Sequence, residues 1–439
     1  MQPLRQLVLV SLALLIAASV AIAASEKMLS AGAALAGDIT LNEALELAVE
    51  HNPSLAAARH RVEATDARVV QAGRWANPEL EFEVENFGGS DELHGYEFAE
   101  STLLISQSLR IGGKIKRGRE VAESDYAIAG RNWESVELDV RAQTTAAFYS
   151  VLTAQERSGL SRELLALARS FADTVDARVE AGKVSPVEAT RARMEVAAVL
   201  VQLIRATREF EVARVRLSAM WGESTADFRR AIGELPGPVD RPAWSELQAL
   251  VYETPDMRTL DDLLQRSERV VALEQSFRIP DLTVAAGPRR FSETGQSAWV
   301  AGISLPLPVF DSNKGARRAA EFELERSRRN VQAAKVEIET GLASVVQRLD
   351  AAVEVATSME ADVVPAATSA LDAVEIGYTE GKFGFLDVID AQRTLFDARS
   401  ILLDSIAEYA LARVDLERLI GRELEGLPES SAAPGEGGS

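Results

Sequence analysis

The chain has 439 residues, no cysteine, and 67 acidic against 47 basic residues, which gives a formal net charge of −20. A charge of this sign repels nucleic acid, and the lack of cysteine excludes both disulfides and attachment of a lipid through an N-terminal cysteine. The folded chain must therefore be stabilised by packing or by assembly.

A secretory signal peptide is predicted at residues 1–23, followed by a linker at 24–38. Arg5 precedes an apolar run that ends in small residues, as in cleaved signal peptides. An uncleaved membrane anchor is the alternative, but the run is barely long enough to span a bilayer and contains Ser11 and Ser19. The sequence therefore predicts export from the cytoplasm.

An internal repeat divides the rest of the chain into two related halves, at about 39–235 and 240–425. Residues 182–222 align without a gap with residues 381–421, at an offset of 199, and ten of the 41 positions are identical. A period this long indicates duplication of a whole structural half rather than a solenoid of short repeats. Residues 426–439, rich in Gly, Ser and Ala, are predicted to be a disordered tail.

Two strands are predicted in each half. In the first half, apolar residues alternate with glutamates over about 79–87, which predicts a strand with one apolar and one acidic face, and its partner spans about 96–109. The strands of the second half, at about 281–286 and 297–307, alternate less regularly. The acidic face of the first strand consists of Glu79, Glu81, Glu83 and Glu85.

Helices of unusual length follow the strands. Residues 114–182 contain no proline, and as one helix these 69 residues would reach about 100 Å. Pro365 is expected to kink or split the corresponding helix of the second half. Ser185 to Glu188 has the sequence of a capping box with proline at the first helical position. The predicted long helices, and the helices that return from them, span about 114–182, 186–221, 314–381 and 385–420.

Four strands in one chain are too few for a closed membrane barrel, since about eight is the smallest number that closes. After the signal peptide no segment has 18 uninterrupted apolar residues, so a chain that crosses the membrane must do so as strands. Several copies must then pool their strands: two copies would supply eight, and three would supply twelve, which leaves a lumen wide enough to conduct. The predicted fold is a mixed α+β membrane channel-tunnel, with four transmembrane strands per chain and long helices beyond them.

Five segments of the sequence carry recognisable motifs, at residues 77–89, 105–114, 181–186, 378–381 and 386–392. Together they resemble TolC-type outer-membrane efflux proteins. The Glu-Asn-Phe-Gly-Gly and Gly-Lys-Val-Ser-Pro stretches within them are most similar to the outer-membrane component of cobalt-zinc-cadmium resistance pumps. Many members of the family carry a lipid-anchor cysteine, which this sequence lacks.

The resemblance implies a homotrimer with a twelve-strand barrel in the outer membrane and an α-helical tunnel in the periplasm. It also implies two partners, a periplasmic adaptor (membrane fusion) protein and a proton-driven inner-membrane RND transporter, with divalent cobalt, zinc or cadmium as the cargo. Drugs or a secreted polypeptide are the alternative cargo. A periplasmic coiled-coil scaffold would not explain the acidic strand, and an autonomous porin would need more strands in one chain.

The helix hairpins carry candidate residues for a periplasmic entrance. In similar proteins acidic residues at the positions of Asp387 and Asp390 ring this entrance, and Glu188 is the first-half equivalent. The alternative is that acids in a first helical turn only complement the helix dipole. The hairpin tips, where an adaptor would dock, are Gly182, Lys183, Gly381 and Lys382.

Two charged clusters complete the candidate sites. The four glutamates of the first strand are predicted to face the lumen, because a carboxylate in lipid is costly; a solvated stretch outside the membrane is the alternative. A basic cluster recurs where helix follows strand, and we hypothesise that it binds phospholipid head groups of the outer membrane rather than forming a merely solvated helix surface. Its members are Lys114, Lys116, Arg117 and Arg119 in the first half, and Lys314, Arg317 and Arg318 in the second.

No enzymatic, cofactor or metal site is predicted. His51, His60 and His94 are scattered without metal-ligand spacing, and Gly112-Gly113-Lys114 lacks the upstream glycine of a phosphate-binding loop. Nucleophile-elbow and kinase signatures are also missing. A duct of this kind would take the energy for transport from its partners.

Overall fold

The computed structural model describes residues 37–239 and 241–424, apart from the side chain of Glu92. The predicted signal peptide at 1–23, most of the predicted linker at 24–38 and the predicted tail at 426–439 lie outside the described residues. Among the described residues, no helix combines the length and the apolar character needed to cross a bilayer.

Helices make up most of the described chain. Two of them, α3 with 67 residues and α7 with 45, are far longer than the roughly 12 residues of an average globular helix. The helices are α1 (Leu41–His51), α2 (Pro53–Ala72), α3 (Lys114–Glu180), α4 (Pro186–Ser218), α5 (Trp244–Tyr252), α6 (Pro255–Ser276), α7 (Lys314–Ser358), α8 (Val364–Glu380) and α9 (Phe385–Ile420).

The strands form two sheets. Strands β1 and β4 make a short parallel pair, and the other four make an antiparallel sheet in the order β2-β3-β5-β6, so that the two halves of the chain pair through β3 and β5. The strands are β1 (Ile39–Thr40), β2 (Glu79–Glu85), β3 (Glu100–Leu109), β4 (Ala231–Ile232), β5 (Leu282–Phe291) and β6 (Ser297–Ser304).

Four of the predicted strand bounds differ from the structure by more than one residue, and one of them is the end of β6, which lies at Ser304 instead of about 307. Strand β2 ends at Glu85 because Asn86 adopts a left-handed backbone conformation, with φ of 57°. Strand β3 begins only at Glu100. The prediction of 281–286 was too short for β5, which extends to Phe291 because β3 and β6 both pair with its second half.

The register of the four-stranded sheet separates an acidic face from an apolar one. Glu83 lies opposite Thr102, Thr102 opposite Arg289, and Arg289 opposite Ala298, so these residues share one face. The row that contains Glu83 is mostly polar, whereas a row on the opposite face is apolar. The apolar row is Leu80, Ile105, Ala286 and Ala301. Leu80 and Ile105 are exposed in the single chain.

A π turn, Met359–Val363, joins α7 to α8. Before the turn, buried residues of the two halves correspond at an offset of 198, as Phe148 and Val346 do. Beyond the turn, the two halves align at an offset of 199. A π turn contains one residue more than an α turn, so it accounts for the change in offset. The turn ends two residues before Pro365, which has no N–H to continue the α-helical bonding and is the residue predicted to kink or split the helix.

The described chain divides into two compact units, and both long helices contribute to each. One unit contains residues up to Ala56, Glu137–Val251 and Thr340 onward. The other contains Ala57–Val136 and Tyr252–Glu339, and it includes the four-stranded sheet.

A buried cluster stabilises the first of these units. Phe148 and Val151 of α3 pack with Leu217 of α4, and Trp221 and Phe228 from the segment that follows α4 complete the cluster. Burying an aliphatic or aromatic side chain of this size contributes about 1.5–3 kcal/mol. This core therefore fixes the helices whose other ends carry the hairpin tips.

Candidate functional site

The tips of two helix hairpins meet in one unit of the structure. Helices α3 and α4 turn at Gly182, and α8 and α9 turn at Gly381. Both glycines are left-handed, with φ of 69° and 81°, a conformation that costs little only for glycine. The turn at each tip thus depends on glycine, as the predicted hairpin ends require.

Arg178 of α3 caps the end of α8 in the other hairpin. Its guanidinium donates a hydrogen bond to the Thr379 carbonyl at 3.0 Å and another to the Tyr378 carbonyl. The guanidinium carbon also lies 4.5 Å from the centre of the Tyr378 ring. A cation at a helix C-terminus satisfies free carbonyls and complements the helix dipole. Arg178 therefore links the two halves of the chain at the tips.

Tyr378 is almost completely buried where the hairpins meet. Its ring packs against Phe171 in a buried cluster that also contains Phe385, and its hydroxyl donates to Glu188 Oε2 at 3.4 Å. Burial, and secondly the Glu188 carboxylate, raise the pKa of Tyr378 above its usual value. This contact is a second polar link between the two halves.

Glu188 does not play the capping-box part that its sequence position predicted. The Ser185 hydroxyl does accept a hydrogen bond from the Val187 N–H, at 3.3 Å. The Glu188 carboxylate instead accepts a hydrogen bond from the Tyr378 hydroxyl. A buried hydroxyl within reach is a better partner for this half-buried carboxylate than a backbone N–H already at the surface.

Asp387 and Asp390 are both exposed at the start of α9, but their surroundings differ. Asp387 Oδ2 accepts a hydrogen bond from the Gly384 N–H at 2.7 Å, so this carboxylate caps the start of α9. Within the described residues no hydrogen bond involves the Asp390 carboxylate. Arg393, one turn on, pairs with Glu195 at 2.5 Å, and this bond is the main cause of its raised pKa, with a smaller contribution from Asp390. Asp390 thus remains available to an ion.

The lysines of the two tips are exposed. Lys382 pairs with Glu380 at 2.5 Å. Beside it the Phe383 ring lies over Gly377, where an added Cβ would come within 2.2 Å of the ring. An adaptor that docks at the tips would therefore meet Lys183, Lys382 and this aromatic ring together.

The four strand glutamates lie on one exposed face of the sheet, and one end of the face also carries an arginine. Arg289 contacts Glu85 at 3.1 Å and Glu100 at 2.9 Å, and it donates to the Thr102 hydroxyl. Sequence reasoning missed Arg289 because the predicted strand stopped before it. The acidic face is therefore partly neutralised at this end and fully acidic from Glu83 to Glu79.

The basic cluster is divided by the structure. Lys114 is buried and pairs with Asp281 at 2.6 Å, and Arg117 donates to the Ala272 carbonyl at 2.9 Å. The head-group hypothesis is corrected for these two residues, because their side chains already have protein partners that compensate their burial. Lys116, Arg119, Lys314 and Arg318 are exposed, and Arg317 is half-buried.

The part of the chain that the structure describes contains no group of three or more histidine or acidic side chains placed to hold a metal ion. The exposed carboxylates of the tip and of the acidic sheet face are therefore not arranged as a coordination site.

Sequence comparisons identify relatives over most of the chain. The family model described as "Outer membrane efflux protein" matches twice, at residues 44–223 and 247–422. The cobalt-zinc-cadmium resistance protein CzcC of Cupriavidus metallidurans is 34% identical over 88% of this chain and 91% of its own length. The nickel-cobalt-cadmium resistance protein NccC of Alcaligenes xylosoxydans is 26% identical over 71% of this chain and 70% of its own.

Solved structures share the fold at low sequence identity. The outer membrane protein VceC of Vibrio cholerae superposes with a TM-score of 0.75 at 19% identity, covering 88% of this chain and 96% of its own. The channel protein CusC superposes with a TM-score of 0.74 at 16% identity, covering 88% and 92%.

Proposed function

Because the chain belongs to the outer membrane efflux protein family, we propose that it forms the outer-membrane channel of a tripartite pump that expels divalent metal cations. The observation that carries the proposal is the sheet, in which one face is apolar and the other bears four glutamates in a row. In an outer-membrane barrel such a sheet places its apolar face against lipid and its carboxylates in the aqueous lumen.

The channel is a homotrimer in this proposal. One chain supplies four strands to the sheet and leaves β2 and β6 as its open edges. Open edges cannot lie in lipid, so β6 of one copy pairs with β2 of the next, and three copies close a barrel of about twelve strands. The long helices α3 and α7 continue as a periplasmic tunnel.

The partners in this proposal are a periplasmic adaptor at the hairpin tips and an inner-membrane RND transporter that supplies the energy. Gly182, Lys183, Gly381 and Lys382 form the adaptor contact. The exposed basic residues at the start of the long helices, Lys116 and Lys314 among them, contact lipid head groups at the periplasmic face of the membrane.

Divalent metal is proposed as the cargo because two relatives are named for resistance to cobalt and cadmium, one of them also to zinc and the other also to nickel. The acidic lumen face and the exposed Asp390 favour cations over anions electrostatically. The duct binds its cargo weakly, which suits a conduit that has to release it.

The proposal is tested by deleting the gene and restoring it on a plasmid. Minimum inhibitory concentrations of zinc, cobalt, cadmium and a panel of hydrophobic drugs are then compared. We expect the deletion to lower the metal values several-fold and the restored gene to recover them. A strain that loses drug resistance alone would identify a multidrug conduit and refute metal as the cargo.

A further inference from the structure

Two carboxylates face each other directly in the four-stranded sheet. Glu85 of β2 lies opposite Glu100 of β3, and these two residues are called the opposed pair below. Like charges directly opposite each other destabilise a sheet, because their side chains lie close together. The other three glutamates of β2 lie opposite uncharged residues of β3, which are Ser106, Leu104 and Thr102. The opposed pair therefore needs a cation, whereas the other three glutamates do not.

Arg289 of β5 supplies this cation. Its Nη2 contacts Glu85 at 3.1 Å, and its Nη1 donates a hydrogen bond to Glu100 at 2.9 Å. Its Nε donates to the hydroxyl of Thr102, a buried residue, at 2.9 Å. The Asn86 amide donates to the second oxygen of Glu100 at 3.3 Å. Each nitrogen of the guanidinium thus has its own partner, and the three contacts hold the group in one position.

The groups around the guanidinium are also of the kind that binds divalent metal ions. Two carboxylates and a hydroxyl offer oxygen atoms, and Zn²⁺, Mg²⁺ and Ca²⁺ all accept carboxylate oxygens as ligands. The number of ligand charges is one of the factors that set the affinity of such a site. Without Arg289, two uncompensated carboxylates would lie side by side at this end of the sheet.

We propose that Arg289 occupies the place that a divalent cation would otherwise take in the opposed pair, and that the outer end of the channel can therefore release its cargo. This inference rests on the proposed function, in which the acidic face lines the lumen and the loop between β2 and β3 lies at the exit. A cation that has passed the three unpaired glutamates of β2 then meets no pair of carboxylates able to retain it. Arg289 is in this sense a resident counter-ion that determines how weakly the exit binds metal.

The proposal is tested by measuring Zn²⁺ binding to the purified full chain in detergent by equilibrium dialysis. Arg289→Gln removes the resident cation and should bind one Zn²⁺ per chain more than the wild type, at an ion concentration about tenfold below that which loads the wild-type surface. Arg290→Gln is the matched control, because it removes the same charge from the next residue, on the opposite face of the sheet beside Ser101. This control should bind Zn²⁺ as the wild type does.

Two further variants test whether the opposed pair itself holds the ion. Arg289→Lys keeps a cation at this position and should gain no Zn²⁺ site. Arg289→Gln combined with Glu100→Gln removes one carboxylate of the pair and should lose the gained site. The proposal is refuted if Arg289→Gln gains no Zn²⁺, or if Arg290→Gln gains as much.

The fold of the single variant is controlled in the same way. If Arg289→Gln does not refold in metal-free buffer, Zn²⁺ added during refolding should restore it, because the ion then takes the place of the arginine. A variant that Zn²⁺ does not restore would equally refute the proposal.

Planar-bilayer recordings test the consequence for release. Zn²⁺ on the outer side should lower the conductance of Arg289→Gln several-fold, and chelation with EDTA should reverse this block. The wild type and Arg290→Gln should conduct almost unchanged under the same conditions. An equal block of all three proteins would contradict a role of Arg289 in release.

The outcomes separate this inference from the proposed function. A wild-type chain that conducts, together with an Arg289→Gln variant that gains no Zn²⁺, refutes the resident counter-ion and leaves the channel proposal standing. A wild-type chain that forms no channel refutes the proposed function, whereas a Zn²⁺ site gained by Arg289→Gln would still show that Arg289 keeps metal out of the opposed pair.

Discussion

Tyr378 is predicted to titrate late among the six tyrosines of the chain. Burial and the Glu188 carboxylate both disfavour its ionised form, so its pKa lies above the usual value of about 10. Difference titration of tyrosinate absorbance between the wild type and Tyr378→Phe should show the missing group ionising above the ordinary range.

The sign of the pH effect follows from the same shift. A raised folded-state pKa stabilises the fold fully below the unfolded pKa, and this contribution is lost as pH rises through the folded pKa. The wild type should therefore lose stability more steeply than Tyr378→Phe in alkaline solution. Equal slopes would contradict the assigned environment of the hydroxyl.

Gly377 is predicted to tolerate alanine poorly despite lying in a helix. The added Cβ would sit 2.2 Å from the Phe383 ring, which must leave its position at a cost of about 1–3 kcal/mol. Gly159→Ala is the matched control, because nothing lies near its Cβ position, and it should stabilise α3 by about 0.5–1 kcal/mol. Thermal unfolding and limited proteolysis at residues 377–384 should give opposite signs for the two variants.

At the level of single residues, the sequence predicted candidate residues at the hairpin tips but not the residues that they contact. Spacing predicted that Asp387 and Asp390 lie on one face of a helix near the turn at Gly381. The contacts of Arg178 with Thr379 and of Glu188 with Tyr378 join residues about 200 positions apart. Such pairings depend on how hairpins pack, which local periodicity does not encode.

Among the secondary-structure elements, periodicity predicted those with a clear pattern of their own. Strand β2 was found from its alternation, and the long helices from their lack of proline. Strand β5 was found only in part, since Gly287, Pro288 and two arginines interrupt its alternation and its remaining residues are held by β3 and β6. Pro365 correctly marked a break, but the sequence did not reveal that a π turn forms it.

The π turn provides a prediction about helix length. Deleting Ala361 removes the extra residue and converts the π turn to α-helix. The rotational alignment of α8 with α7 is then kept, but Pro365 lies inside a regular helix. Proline in a helix interior costs about 3 kcal/mol. The deletion combined with Pro365→Ala should therefore unfold at a clearly higher temperature than the deletion alone, as followed by circular dichroism.

A deletion placed elsewhere serves as the contrast. Loss of Ala343 rotates Val345, Val346 and Leu349 by about 100° relative to Leu342, out of the buried face. This variant should be the least stable of the three. Equal stability of both deletions would mean that the π turn does not carry the extra residue.

The whole assembly is expected to select cations through two separate surfaces. Replacing Glu79, Glu81 and Glu83 with glutamine should lower the cation-to-anion permeability ratio, because their carboxylates lack the arginine that offsets Glu85. Asp390→Asn should lower conductance for divalent cations at the entrance, and Asp387→Asn is the comparison, because its amide oxygen can still accept the hydrogen bond from the Gly384 N–H. Planar-bilayer recordings measure both quantities. Unchanged selectivity in the triple variant would show that the acidic sheet face does not line the conduction path.

The pairing of β3 with β5 bears on the ancestry of the chain. It joins the two halves by edge-to-edge strand pairing, whereas the outer edges of β2 and β6 are unpaired within the described chain. A forerunner with one half would have carried two strands and two free edges, and six copies would have been needed to supply the twelve strands proposed here. Fusion of two such genes halves the number of subunits that must meet, and it frees the paired hairpins to diverge, as Arg178 and Tyr378 have done.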